Sequence, residues 1–193
     1  MPPAERPLLI GITGNIGSGK SLFCQYLRES GLYVVSADEI AKQCLRQKDV
    51  VKALTQHFSE LILADGEEGT EPVIDRRKLA AKVFSDPAET QFLNALIHPL
   101  VLQEFNRIIA TSPEPYLGFE VPLLFEAGLA TCFDYLVLVY APLQLRLERL
   151  ANRGDSRKNL LNRQNQQLAD EGKLAQVDLV ISNLAEVAAL RTS

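Results

Sequence analysis

At 193 residues, 47% hydrophobic and 23% charged, the chain suits one substantial globular domain with room for a small insertion. A formal net charge of −4 argues against general nucleic-acid or membrane-surface binding, and no apolar stretch reaches bilayer-spanning length. Three scattered cysteines, Cys24, Cys44 and Cys132, lack metal-ligand spacing and read as buried free thiols of a reducing compartment. The opening Met1-Pro2-Pro3-Ala4-Glu5-Arg6-Pro7 has no targeting pattern, so a cytoplasmic protein is expected.

The first apolar run, Leu8-Leu9-Ile10-Gly11-Ile12-Thr13, predicts a strand. It feeds Gly14-Asn15-Ile16-Gly17-Ser18-Gly19-Lys20-Ser21, a complete G-x-x-x-x-G-K-S string, and a helix over 20–30 stopped by Gly31. Strand, glycine-rich loop and helix in that order make an anion nest at the positive end of a helix dipole. The pattern therefore predicts a nucleoside triphosphate site. Lys20 would reach the β- and γ-phosphates, and the Ser21 hydroxyl would sit on Mg²⁺.

A strand over 32–36 and a helix over 37–46 come next. Further helices are expected over 76–84 and 88–109, the latter opened by Asp86-Pro87 as cap and first-turn proline. His98-Pro99 is expected to end or kink that helix. The stretch 37–109 lacks a convincing buried strand and reads as a helical insertion, with the acidic segment Asp65-Gly66-Glu67-Glu68-Gly69-Thr70-Glu71-Pro72 as a surface loop. The core is then 8–36 and 110–193. It resumes with strands Tyr116–Glu120, Tyr135–Tyr140 and Leu179–Ser182, with helices over 143–152 and 157–172 between them. Short apolar runs alternating with helical stretches signal an α/β fold built on a parallel sheet, with the strands' carboxyl ends on one edge beside the loop.

Asp38, just past the second strand, is placed for a general base or substrate-hydroxyl orienter, or simply for a helix cap. Glu120 closes the third strand, where an acid can serve the Mg²⁺ shell or simply be a strand-end polar residue. Between Gln144 and Arg163 stand Arg146, Arg149, Arg153, Arg157, Lys158 and Arg163 against two acids, Glu148 and Asp155. Arg146 and Arg149 fit a solvated helix face, whereas Arg153 falls in a loop where a lid could bring cations to a transferring phosphoryl group. His98 is either a satisfied turn histidine or a substrate contact, and His57 reads as a surface or helix position. These residues alone leave open a small-molecule kinase of nucleoside-monophosphate or shikimate type, or a non-catalytic nucleotide switch. No guanine-specifying N-K-x-D string occurs.

Further strings narrow the choice. Ala37-Asp38-Glu39-Ile40-Ala41, Asp75-Arg76-Arg77-Lys78-Leu79, Leu96-Ile97-His98-Pro99-Leu100 and Val121-Pro122-Leu123-Leu124-Phe125-Glu126 follow the loop in order. Arg149, Arg153, Arg163, Gln167, Lys173, Val177-Asp178 and Ile181-Ser182-Asn183 complete the series. In these motifs the chain resembles the dephospho-CoA kinases. The resemblance implies a P-loop NTPase fold in three layers with about five parallel strands, a helical substrate-binding insertion, and a lid near 153–172. It implies transfer of the ATP γ-phosphoryl group to the ribose 3′-hydroxyl of dephospho-CoA, with Mg²⁺ and no nucleic-acid or membrane partner, and leaves the oligomeric state open. Asp38, Lys20 and Arg153 are the implied catalytic residues. Gly14, Asn15, Ile16, Gly17, Ser18, Gly19, Lys20, Ser21, Leu22 and Asn183 are the implied nucleotide contacts. Ser21 and Glu120 are assigned to the metal, and Asp38, Arg77, His98 and Glu126 to the acceptor side. The chain departs from the usual pattern at Asn15 (for Gly), Leu22 (for Thr), Glu120 (for Asp), Arg146 (for Gln) and the tract Asn162-Arg163-Gln164-Asn165-Gln166-Gln167.

Overall fold

The computed structural model describes residues 6–64, 72–83, 86–152, 164 and 167–184. Strands β1 (Leu8–Thr13), β2 (Tyr33–Ser36), β3 (Tyr116–Glu120), β4 (Tyr135–Tyr140) and β5 (Leu179–Ser182) pair in parallel as one sheet, in the order β2-β3-β1-β4-β5. The fold is α/β, as the alternating pattern predicts. β2 begins one residue later than expected because the Leu32 N–H donates back to Leu27 O in the turn that ends helix α1 (Lys20–Glu29).

The chain divides into two units, residues 1–37 with 112–193, and residues 38–111. In the first, consecutive residues of β3 and β4 are buried on both sides of the strand, so the sheet is covered on both faces. On one face Ile12, Val34, Val137, Val139 and Ile181 pack with Cys24 of α1. Leu22, the unusual residue after Ser21, packs against this cluster, which gives the leucine a physical reason where threonine is usual. On the other face Gly11 lies against Leu124 and Phe133, side chains that a Cβ at this position would strike at 2.8 Å. Helix α6 (Leu143–Ala151) follows β4, and the short helix α7 (Asp170–Leu174) precedes β5.

The second unit is helical: most of α2 (Ala37–Cys44), α3 (Lys48–Phe58), α4 (Arg76–Val83) and α5 (Pro87–Thr111). Helix α3 was not anticipated. It buries Val50, Val51 and Leu54, and its His57 ring stacks on Phe92 of α5 at 3.8 Å and meets Glu89 Oε2 at 2.5 Å. His57 is thus a packing residue between two helices. Asp86 caps α5, its carboxylate accepting the Ala88 N–H at 2.8 Å. The helix continues through His98-Pro99 instead of ending there. A proline removes one helical donor, and the turns on both sides carry the helix past that loss. Asp75 caps α4 by accepting the Arg77 and Lys78 N–H groups.

Two further expectations change. Cys24 and Cys44 are buried free thiols, but Cys132 is exposed. The helix expected over 157–172 does not extend through 167–169: Leu168 gives its N–H to Glu126, and Ala169 is extended before α7. Among the described residues no helix is long and apolar enough to cross a membrane.

Candidate active site

Parallel pairing puts the end of β1 level with the end of β3, with Ile12 opposite Glu120, and the Val121 N–H donates to Ile12 O at 2.9 Å. The phosphate loop therefore leaves β1 beside a carboxylate. Within the loop, Ser18 N–H closes a turn on Asn15 O, and Gly17 (φ 80°) and Gly19 (φ 92°) take left-handed backbone that side-chain-bearing residues avoid. Gly19 hands the chain directly into α1, whose first turn holds no acid. The loop's N–H groups thus face the positive end of a helix dipole.

Glu120 is 6% exposed and organises the cations around it. Its Oε1 accepts from Lys20 Nζ at 2.6 Å and from Ser21 Oγ at 2.8 Å, and Arg28 Nη2 lies 3.6 Å from Oε2. Burial pushes the Glu120 carboxyl upward, but Lys20, Ser21 and Arg28 together hold it below the ordinary glutamate value. Burial pushes the nearby Cys24 thiol up to about 12, the Glu120 charge adding to the effect and the Lys20 and Arg28 cations only partly opposing it. A hydroxyl and an ionised carboxylate converging at the phosphate loop are hard oxygen donors, the set that Mg²⁺ takes together with phosphate oxygens and water. The donors present therefore fit the ion that the resemblance implies.

A second set of contacts ties the loop to the segment before β5. Asn15, 3% exposed, donates from Nδ2 to Asp170 Oδ1 at 2.6 Å and accepts at Oδ1 from Lys173 Nζ at 2.7 Å. Lys173, fully buried, also lies 3.1 Å from Glu126 Oε1, which accepts the Leu168 N–H at 2.6 Å. Arg146 is 1% exposed and not part of a solvated face. Its guanidinium donates to Asp170 Oδ2 at 2.8 Å, to Ala141 O at 2.9 Å and to Ile16 O at 3.4 Å, and also to the Gln164 side chain. Ile16 N–H donates to Gln167 Oε1 at 2.8 Å. Asn183, at the end of β5, donates to Ser18 O at 2.8 Å and accepts from Arg149 Nη2 at 3.0 Å. Arg149 is accordingly another basic residue of α6 turned to the protein's own polar groups. Asp170 was not singled out from the sequence, since it lies 155 positions from its partner Asn15 and belongs to no local motif.

The remaining expected site residues are distributed as follows. Asp38 lies in the first turn of α2, two positions past β2; it is exposed and takes part in no side-chain hydrogen bond among the described residues. Since α2 starts at Ala37, Asp38 is not its cap. Arg77 and His98 are exposed in the helical unit, and Arg77 lines a concavity of about 520 Å³ with Asp75, Arg76 and Ala80. Glu126 belongs to the sheet unit, where it joins the contacts of Lys173 and Leu168. Arg153 lies outside the described residues.

The family model for dephospho-CoA kinase matches residues 8–189. A dephospho-CoA kinase from Deinococcus radiodurans is 39% identical over 188 residues, 95% of this chain and 87% of the relative. Among solved structures, one from Thermus thermophilus superposes with a TM-score of 0.82 at 35% identity, covering 96% of this chain and 93% of its own. The dephospho-CoA kinase from Campylobacter jejuni superposes at 0.67 with 28% identity, covering 95% and 92%. A match over nearly the whole length, joined to a phosphate loop set against a buried carboxylate, gives the result plainly: the chain belongs to the dephospho-CoA kinase family.

Proposed function

We infer that this chain transfers the γ-phosphoryl group of ATP to the ribose 3′-hydroxyl of dephospho-CoA, releasing ADP and coenzyme A. The observation that carries the reading is the shared Glu120 oxygen, which gathers the Lys20 ammonium and the Ser21 hydroxyl at the mouth of the phosphate loop. In the reaction a bond forms between the 3′-oxygen and the γ-phosphorus, the bond from that phosphorus to the β,γ-bridging oxygen breaks, and the hydroxyl proton passes to Asp38. An exposed carboxylate with no side-chain partner among the described residues is available for that proton. Phosphoryl transfer needs little covalent help from the protein, so positioning and charge neutralisation carry most of the rate.

Ser21 and Glu120 would hold Mg²⁺, which neutralises phosphate charge when bound. Lys20 would leave its Glu120 contact to reach the phosphates, and Arg153 would add a second cation. Residues 38–111 would supply the acceptor side through Arg77 and His98. The test is ADP formation with and without dephospho-CoA, alongside shikimate and nucleoside monophosphates as competing acceptors. Acceleration by dephospho-CoA alone is the expected result; slow hydrolysis indifferent to every acceptor would leave a nucleotide switch instead.

A further inference from the structure

One carboxylate outside the recognised motifs holds the phosphate loop from behind. The two oxygens of Asp170 are given to different elements: Oδ1 to Asn15 of the loop at 2.6 Å, Oδ2 to Arg146 of α6 at 2.8 Å. Both donors are at least 97% buried, so neither is a screened surface contact. Through the same residues the contacts reach the loop backbone. Arg146 donates to Ile16 O and Gln167 accepts from Ile16 N–H, so both polar groups of that residue are held by side chains from outside the loop. Lys173, fully buried, fixes the other end of the Asn15 amide. A buried network with each member hydrogen-bonded resists local rearrangement far more than isolated pairs do.

The loop therefore does not depend on its glycines alone for its shape. Its first turn is clamped, and the clamp decides where the remaining loop N–H groups point. Asn15 and Arg146, two residues that looked arbitrary in sequence, meet on the same carboxylate.

We propose that Asp170 is a positioning residue for ATP, holding the first turn of the phosphate loop through Asn15 and Arg146 in the form that receives the phosphates. This rests on the reading of the loop as the ATP site. The effect is one-sided: ATP affinity depends on Asp170, whereas affinity for dephospho-CoA does not.

The full-length variants Asn15→Gly, Asp170→Ala and their combination test this, using calorimetric ATP binding, the KM for each substrate and thermal unfolding. Each single change is expected to weaken ATP binding by about tenfold, the value of one charge-assisted hydrogen bond. The combination is expected to lose less than the product of the two, since both delete the shared Asn15–Asp170 contact, while each also removes one of its own, Lys173 on Asn15 or Arg146 on Asp170. The KM for dephospho-CoA stays at its wild-type value. Unchanged ATP affinity with only a lowered Tm, multiplicative losses in the combination, or equal rises in both KM values would each overturn the proposal. Asn15→Gly leaves the Arg146–Asp170 pair in place, so it gives the same readout if Asp170→Ala fails to fold. A wild-type chain that binds ATP yet ignores dephospho-CoA would remove the acceptor assignment while leaving the binding cycle interpretable.

Discussion

Lys20 Nζ stands 2.6 Å from Glu120 Oε1, with side-chain exposures of 10% and 8%, so the phosphate-loop lysine is paired inside the protein to an acid from the neighbouring strand. Attraction at this depth is strong, but so is the cost of desolvating two charges, and the pair holds because Ser21 and Arg28 also serve the carboxylate. Removing one partner leaves the other buried and unbalanced. Glu120→Gln is therefore expected to lower the transfer rate by about 10²-fold, a typical cost of losing one preorganised electrostatic group. Glu120→Asp, which keeps the charge on a shorter stem, recovers most of that loss. Steady-state kinetics at varied Mg²⁺ measures both, and equal activity in the glutamine chain would exclude a role for the charge.

The same pair makes a prediction about acid stability. The folded Glu120 carboxyl is held below its ordinary value of 4.5. A depressed folded value means that the unfolded chain binds more protons, so stability rises with pH in that window. The contribution is complete above the ordinary value and is lost as pH falls through the lower folded one. Asp75, Asp134 and Glu104 are shifted in the same direction, so a background acid dependence persists in any variant. Urea unfolding of wild type and Glu120→Gln across this range should show the flatter acid limb in the variant. Parallel curves would contradict the assignment.

Asp38→Asn separates binding from chemistry. Asp38 is exposed in the first turn of α2 and carries no internal hydrogen bond among the described residues, so the amide disturbs no packing. ATP affinity and Tm are expected to stay at wild-type values, whereas kcat falls by about 10²- to 10⁴-fold, the usual range for a general base. An asparagine chain with normal turnover would assign the proton to another group.

Thiol reactivity follows burial. The Cys24 thiol is pushed up to about 12 by its desolvated surroundings, and burial also raises Cys44, with Glu104 adding to the effect. Neither forms thiolate readily near neutral pH, and thiolate is the reactive species. Alkylation followed by peptide mass mapping should label Cys132 first and leave Cys24 and Cys44 unmodified until the chain unfolds. Early labelling of Cys24 would show that α1 opens from the sheet.

The sheet was readable because a strand covered on both faces must be apolar at consecutive positions, as Tyr135-Leu136-Val137-Leu138-Val139-Tyr140 is. The phosphate loop was readable because its chemistry is local. Helix α3 was missed although Val51, Leu54 and Phe58 repeat at helical spacing, since its charged positions blurred the apolar face. The partners of Asn15 and Arg146 could not be read at all. They are joined by tertiary pairing across 155 and 24 positions, and an arginine on a helix normally reads as solvated.

Gly14→Ala tests how firmly the loop is seated on the sheet. A methyl group on Gly14 would come 2.5 Å from Val139 O and 2.7 Å from Ser18 Oγ. The first contact is backbone at the penultimate residue of β4, where Val139 is opposite Ile181 of β5, so it cannot yield as a flexible side chain could. The second is a buried hydroxyl in the loop itself, which has no hydrogen-bond partner among the described residues and sits at the turn closed by Ser18 N–H on Asn15 O. Relief therefore requires the loop to lift from β4, which pulls against Asn183 on Ser18 O and Arg146 on Ile16 O. Overpacking of this kind costs about 1–3 kcal/mol. Displacement of the phosphate-binding N–H groups is expected to weaken ATP binding by about 10²-fold, since a shift of about 1 Å is enough for such a loss. Calorimetric ATP binding and thermal unfolding on the same variant measure the two effects. An alanine chain that binds ATP as the wild type does would mean that the loop rises from β4 without disturbing the groups that meet the phosphates.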